Sequence, residues 1–233
     1  GLIRTALEQN KDVLIAAARV EEFLGRFGVT RAQLFPQVGL QGQGGRQELS
    51  NSIANPLSAG STNPYSSFSL DLGVSWELDL WGKLRRATEA ARAALLASEE
   101  NRLTVILSLT SAVATSYVTL IDLDRQLEIA KGTAASRGEY YRIFKLRFEG
   151  GVVSQVELEQ ARSDYEVALA TIPSIERQIG QQESALSVLL GRNPGPIARD
   201  RAIDKLVLPQ VPAGLPSELL ERRPDLRQAE RGI

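Results

Sequence analysis

The stretch FSLDLGVSWELDLWG, residues 68–82, decides the fold. Phe68, Leu70, Leu72, Val74, Trp76, Leu78 and Leu80 share one parity; Ser69, Asp71, Gly73, Ser75, Glu77 and Asp79 share the other. Such period-2 alternation marks a strand with one apolar and one polar face. Towards the C-terminus it runs straight into WGKLRRATEAARAALLASEE (81–100), which is helical in composition. Towards the N-terminus lies the polar, turn-rich loop ELSNSIANPLSAGSTNP (48–64), and before it PQVGLQGQGGRQ (36–47). In that segment Val38, Leu40 and small residues alternate with Gln37, Gln41 and Gln43, as in a first strand. Two strands about one loop make a hairpin, with the second strand expected from about Tyr65 to Leu80. An isolated hairpin is marginal in water, so both strands need further partners.

Everything else reads as helix. Residues 2 to about 34 carry apolar side chains at helical spacing, with no proline before Pro36. From Gly82 to Phe148 there is again no proline, and only Gly132 and Gly138 interrupt. A helix of that length spans roughly 100 Å. Leu103, Ile106, Thr110, Val113, Tyr117, Leu120 and Leu127 repeat at spacings of three and four, with Asp124 breaking the series. Val105, Leu109, Ala112, Ser116, Thr119 and Leu123 form a second stripe beside them. Two stripes predict neighbours on both flanks, as in the wall of a tube. FEGGVVSQ (148–155) breaks the helix, and a returning helix carries a heptad stripe from Leu158 through Ala161, Tyr165, Ala168, Ile172, Ile175, Ile179, Gln182 and Leu186 to Leu189. Pro173 inside it predicts a kink or a split. Gly191 and Pro194 supply the stop.

Composition narrows the function classes. With 43% hydrophobic residues, 24% charged and a net charge of −1, the chain is not a disordered one and has no nucleic-acid footprint. It has no Cys and no His, which removes disulfides, thiolate metal sites and the commonest general base. Carboxylate pairs such as Asp122/Asp124 and Glu157/Glu159 lie two apart on a helix and face different ways. No nucleophile elbow, phosphate loop or metal spacing is present. No enzyme, cofactor or metal is therefore expected. No run of 18 residues is apolar throughout, so no transmembrane helix is expected; that says nothing against a β-barrel. Residue 1 is Gly and no signal peptide precedes it, so a fragment of a longer protein is expected.

A displaced self-comparison points the same way. Shifted by 213, GLIRTALEQNKDVLIAA lies over GLPSELLERRPDLRQAE with six identities, at Gly1/Gly214, Leu2/Leu215, Leu7/Leu220, Glu8/Glu221, Asp12/Asp225 and Ala16/Ala229. The reading is a duplication whose second copy barely begins here.

VSWELDLWGKLRRATEAARA, RFEGGVVSQVELEQAR, IPSIERQI, LLGRNPG and GLPSELLERRPDLRQAE together resemble the outer membrane factor (TolC-like) efflux family. The likeness runs over essentially the whole chain and is strongest to the lipoprotein branch that works with proton-driven multidrug and metal pumps. The branch's lipid-bearing N-terminal Cys is absent, as is nearly all of a second repeat. The resemblance implies a mainly α fold with a β-hairpin: long antiparallel coiled-coil helices forming an α-barrel tunnel, plus two strands of a trimeric twelve-stranded outer membrane β-barrel. It implies an organisation of periplasmic helix (1–34), barrel hairpin (35–80), long tunnel helix (81–148), periplasmic tip turn (149–154), returning helix (155–191), linker (192–216) and start of a second repeat (217–233). The implied function is a passive exit duct for drugs, metals or other small solutes, in the outer membrane with a periplasmic tunnel. The implied partners are two sister subunits, a periplasmic adaptor, an inner membrane pump and outer membrane lipid.

Each candidate site keeps a plainer alternative. From Phe68 to Leu78 is about 36 Å extended, or roughly 25 Å of height at a 45° tilt, the span of an outer membrane. Phe68, Leu70, Leu72, Val74, Trp76 and Leu78 would face lipid, with Tyr65, Phe68, Trp76 and Trp81 as aromatic girdles. Asp71, Glu77 and Asp79 would face the lumen. The alternative is an amphipathic strand of a soluble sheet. At the tip, Gly150 and Gly151 permit the reversal, Val152 and Val153 stand exposed, Ser154 caps the returning helix and Arg147 lies nearby. That set is either an adaptor-docking site or a plain helical turn. Lys83, Arg85 and Arg86 meet lipid headgroups or water. At the level of the whole chain, the rival is a soluble coiled-coil scaffold or adaptor-like protein.

Overall fold

The structure is a computed structural model describing residues 1–48, 64–199, 203, 206–207, 210 and 216–232. Most of the expected 48–64 loop and much of the 192–216 linker lie outside the described residues. The elements are α1 (Leu2–Gln9), α2 (Lys11–Ala32), β1 (Gln37–Gln47), β2 (Tyr65–Ser75), α3 (Lys83–Glu149), α4 (Gln155–Leu189), α5 (Pro216–Arg222) and α6 (Pro224–Arg231). They form two compact units, Glu21–Leu96 and a second made of Gly1–Val20 with Ala97–Ile233.

In the larger unit, α3 and α4 pack as an antiparallel pair. Every member of the expected α4 stripe is buried or half-buried. The α3 stripe is covered too from Ile106 onward, while Leu103 is exposed. The stripe continues past Leu127: Ala134 is buried, the Gly138 backbone lies against the Tyr165 ring, and Tyr141 stacks on Tyr165 with centroids 6.3 Å apart. The densest core lies at the other end of the pair. There Ala6 and Val13 meet Val113 and Leu120 of α3, Leu186 and Leu190 at the end of α4, and Ile197. Leu120, Leu186 and Leu190 are fully buried, each contributing about 2 kcal/mol of transfer free energy.

Three expectations need correction in this unit. Residues 2–34 are two helices. Asn10 leaves the helical region (φ −63°, ψ 132°) and its Oδ1 accepts from the backbone N–H groups of Asp12 and Val13, capping α2. Its Nδ2 donates to the Leu189 carbonyl at the end of α4, so one side chain caps two helices at once. Pro173 does not split α4, because the residue lies on the exposed face, where the carbonyl it leaves unpartnered can meet water. Third, residues 103–121 of α3 carry no charge, and the helix is long and apolar enough to cross a membrane. Of its apolar side chains, Leu109, Val113, Leu120 and Ile121 are buried by protein, whereas Leu103, Leu107 and Val118 are exposed.

Beyond Ile197, Arg199 reaches back to both helices. It donates to Asp124 of α3 at 2.9 Å and pairs with Glu183 of α4. Further on, α5 and α6 break at Arg223, 213 positions after Asn10 (223 − 10), with Pro224 opening α6. Arg227 of α6 pairs with the buried Glu100 of α3 at 2.7 Å.

In the smaller unit, β1 and β2 form a two-stranded antiparallel sheet from Gln37↔Ser75 to Gln47↔Tyr65. The expected second strand ran to Leu80, but it stops at Ser75. The physical reason is Pro36: Trp76 is next in the register, opposite a residue with no N–H to continue the ladder. Trp76, Glu77, Leu78 and Asp79 are therefore not strand residues.

Candidate functional site: a two-faced hairpin and an apolar helical tip

The ladder sorts the hairpin's side chains by face, since directly opposed residues share one. Val38/Val74, Leu40/Leu72, Gly42/Leu70 and Gly44/Phe68 stack on the first face. Gln41/Asp71 and Gln43/Ser69 lie on the second. The apolar face is bare: Phe68 is 85% exposed, and Leu70, Leu72, Val38, Leu40 and Val74 are exposed as well. Burying six such side chains is worth on the order of 10 kcal/mol, so the face needs an apolar environment. Both outer edges of the pair also lack a strand partner among the described residues. The contribution of β1 was only half legible in the sequence, because glycines stand where β2 places Leu70 and Phe68.

Of the expected apolar set, Phe68, Leu70, Leu72 and Val74 share this face. Trp76 and Leu78 lie beyond it, exposed, and the Trp76 indole N–H donates to the Leu34 carbonyl at 3.2 Å. Tyr65 falls on the polar face, where its hydroxyl donates to Gln47. Of the expected polar set, only Asp71 is on the strand. Glu77 pairs with Lys83. Asp79 caps α3, accepting from the backbone N–H groups of Leu84 (3.1 Å) and Arg85 (2.9 Å) and from the Arg85 guanidinium. Burial opposes its ionisation most strongly, yet those two N–H donors and Arg85 together hold the carboxyl below the usual aspartate range. Arg86 pairs with Glu89. All three cations expected at headgroups thus already face a carboxylate of this chain.

The tip is a separate construction. Gly151 has φ +71°, its N–H bonds to the Phe148 carbonyl, and the Val152 N–H bonds back to Arg147. Those two bonds are a Schellman closure, which needs a left-handed residue where glycine stands. Gly150 closes the last helical bond to Leu146. Ser154 then opens α4 with a reciprocal capping box. The Glu157 N–H bonds to Ser154 Oγ, while the Glu157 carboxylate accepts from the Ser154 N–H at 2.7 Å. That backbone donor, with the Ser154 hydroxyl, holds the Glu157 carboxyl below its ordinary value. Both ends of the turn are thereby locked, and what the turn displays is fixed.

It displays Val152, 75% exposed, as expected, but Val153 is half-buried. The second exposed valine is Val156, at 78%, with Leu146 exposed as well. Val156 stands in the first turn of α4, outside the expected set. Arg147 lies over the Phe144 ring, 5.8 Å from its centroid, so its guanidinium is held beside the apolar tip.

Among the described residues no His, Cys, Asp and Glu cluster is placed to hold a metal ion. Comparison with known proteins places this geometry. Residues 2–192 match the family described as outer membrane efflux protein. The probable efflux pump outer membrane protein TtgC of Pseudomonas putida is 35% identical over 231 residues, 98% of this chain and 47% of that protein. The cation efflux system protein CusC of Escherichia coli is 33% identical over 233 residues, all of this chain and 49% of that protein. A crystal structure of CusC superposes with a TM-score of 0.81 at 31% identity, over 99% of this chain and 52% of CusC. The chain spans about half the length of the relatives it matches.

Proposed function

The chain belongs to the outer membrane efflux protein family, and from that premise we propose that it is the first of two repeats of an outer membrane channel-tunnel, the passive exit duct of a tripartite efflux system. The observation that carries this reading is the hairpin register. It collects Val38, Leu40, Phe68, Leu70, Leu72 and Val74 on one bare face, and both strand edges lack a partner among the described residues. Open edges do not persist in hydrocarbon, so a spanning hairpin must be completed by further strands. Two more from a second repeat and eight from two sister subunits close a twelve-stranded trimeric barrel. The recurrence of a helix–break–helix at Asn10 and Arg223 supports the duplication this requires.

In this reading the apolar face touches outer membrane lipid and Asp71 faces the lumen. The helices α3 and α4 form part of the wall of a periplasmic tunnel. Val152 and Val156, flanked by Arg147 and set by Gly150, Gly151 and Ser154, receive the tip of a periplasmic adaptor, with Val153 packed beneath. The adaptor couples the duct to an inner membrane pump, and the duct itself does no chemistry. The exported classes in the names of relatives, solvents for SrpC of Pseudomonas putida (33% identical over this chain) and cations for CusC, are the first to test. Full-length protein reconstituted in a planar bilayer is expected to form conducting trimers. A freely soluble, carbonate-extractable monomer would return the chain to the scaffold reading.

A further inference from the structure

The apolar face of the hairpin ends in a charge. Following the register upward from Val38/Val74, the pairs Leu40/Leu72, Gly42/Leu70 and Gly44/Phe68 are succeeded by Arg46/Ser66. Arg46 therefore shares a face with the apolar pairs, not with Asp71. It is exposed, and it makes no salt bridge with any described residue. The contrast with the other end of the hairpin is informative, since Lys83, Arg85 and Arg86 there are each matched by a carboxylate.

Height decides whether a cation is tolerable on such a face. From Ser66 to the end of β2 at Ser75 is nine residue steps, about 31 Å of extended strand, or about 22 Å of height at a 45° tilt. An outer membrane apolar band is about 25 Å tall, and an Arg on the lipid side costs little at its edge while being strongly disfavoured at its middle. Helices α2 and α3 join the hairpin at Gln37 and Ser75, so Arg46 lies at the opposite, loop-bearing end. A guanidinium with no salt-bridge partner among the described residues stands among headgroups at that level, and its planar fork matches a phosphate. Ser66, directly across the ladder on the same face with its Cβ about 5 Å from that of Arg46, adds a hydroxyl donor.

We propose that Arg46 and Ser66 form a phosphate-binding rim site for a phosphorylated lipid headgroup in the membrane's outer leaflet. The site rests on the channel reading, which supplies the membrane and the hairpin's direction. It fixes the barrel's height in the membrane by pinning the end opposite the helices. In the trimer it occurs three times.

The test uses full-length protein purified in neutral detergent, with diphosphoryl lipid A and its phosphate-free counterpart as probes. Retention on the trimer is read by native mass spectrometry. Arg46→Gln is expected to lower retention of the phosphorylated lipid about fivefold per site, the contribution of one basic residue at a charged headgroup layer. Arg46→Lys keeps most of it, and added salt erodes the difference. The phosphate-free lipid is retained equally by all three proteins. Equal retention of the phosphorylated lipid by wild type and Arg46→Gln trimers would overturn the rim site and leave the channel intact, as would wild-type retention indifferent to the phosphates. A wild-type protein that forms no membrane-inserted trimer overturns the channel reading, and the rim site with it.

Discussion

Replacing Gly191 with Ala tests how the end of α4 is joined to the α1–α2 corner. Gly191 has φ +70°, a conformation that costs an L-residue about 1–2 kcal/mol. A Cβ there would also lie 2.2 Å from the Gln9 carbonyl oxygen and 3.0 Å from the Asn10 nitrogen, both backbone atoms that no rotamer change can move. Reaching ordinary contact means a retreat of roughly 1 Å, enough to break the Asn10 Nδ2–Leu189 carbonyl bond of 2.9 Å. Losing that bond with its groups buried costs a further 1–3 kcal/mol or so, about 2–5 kcal/mol in all. Gly151 supplies the control: its φ is +71° but nothing stands within 4 Å, so Gly151→Ala carries only the backbone term. The assay is hydrogen exchange in the full-length protein at the Asp12 and Val13 amides, which Asn10 Oδ1 holds. The extra 2 kcal/mol or so corresponds to about thirtyfold faster opening in Gly191→Ala, and exchange at these amides in Gly151→Ala should stay near wild type. Equal exchange in the two variants would refute the close-contact argument.

On the hairpin, Leu72→Asp places a charge at mid-height on the apolar face and should sharply reduce assembled trimer in outer membrane fractions, whereas Ser69→Asp on the other face should not; heat-modifiable mobility on gels reports both. Val152→Asp at the tip should weaken adaptor binding at least tenfold by surface plasmon resonance, with helix content by circular dichroism unchanged; undiminished binding would remove the tip from the docking proposal. The Arg199 cluster predicts an acid-side effect. Burial resists ionisation of Glu183 most, but the Ile197 N–H and Arg199 outweigh it and hold the carboxyl below its ordinary value. A depressed carboxylate pKa gives stability that is present above the unfolded value, near 4.3, and lost as pH falls through the folded value. Denaturant midpoints should therefore drop below about pH 4, and Glu183→Gln should flatten that part of the drop.

The legibility of this protein divides by the range of the forces involved. Period-2 alternation in β2, the α4 heptad and the Gly150–Gly151 tip with its Ser154–Glu157 box were all readable, because each is a bond or packing rule acting within a few residues. Val153 was misjudged because both valines of the tip look alike in sequence. Only the Schellman closure turns one inward and leaves Val156 to take its place. Asp79 looked like a lumen carboxylate because its parity said so, and the strand had ended four residues earlier at Pro36's missing N–H.

The sequence by itself determined that this chain is long paired helices around one two-faced hairpin, since hydrophobic period and turn chemistry are local properties. Only the tertiary structure decided which charges are paired with which. Asn10 joining two helices, Arg199 bridging Asp124 and Glu183, Arg227 on Glu100, and Arg46 aligned with Phe68 all depend on residues brought together across the fold, and no local spacing encodes those encounters.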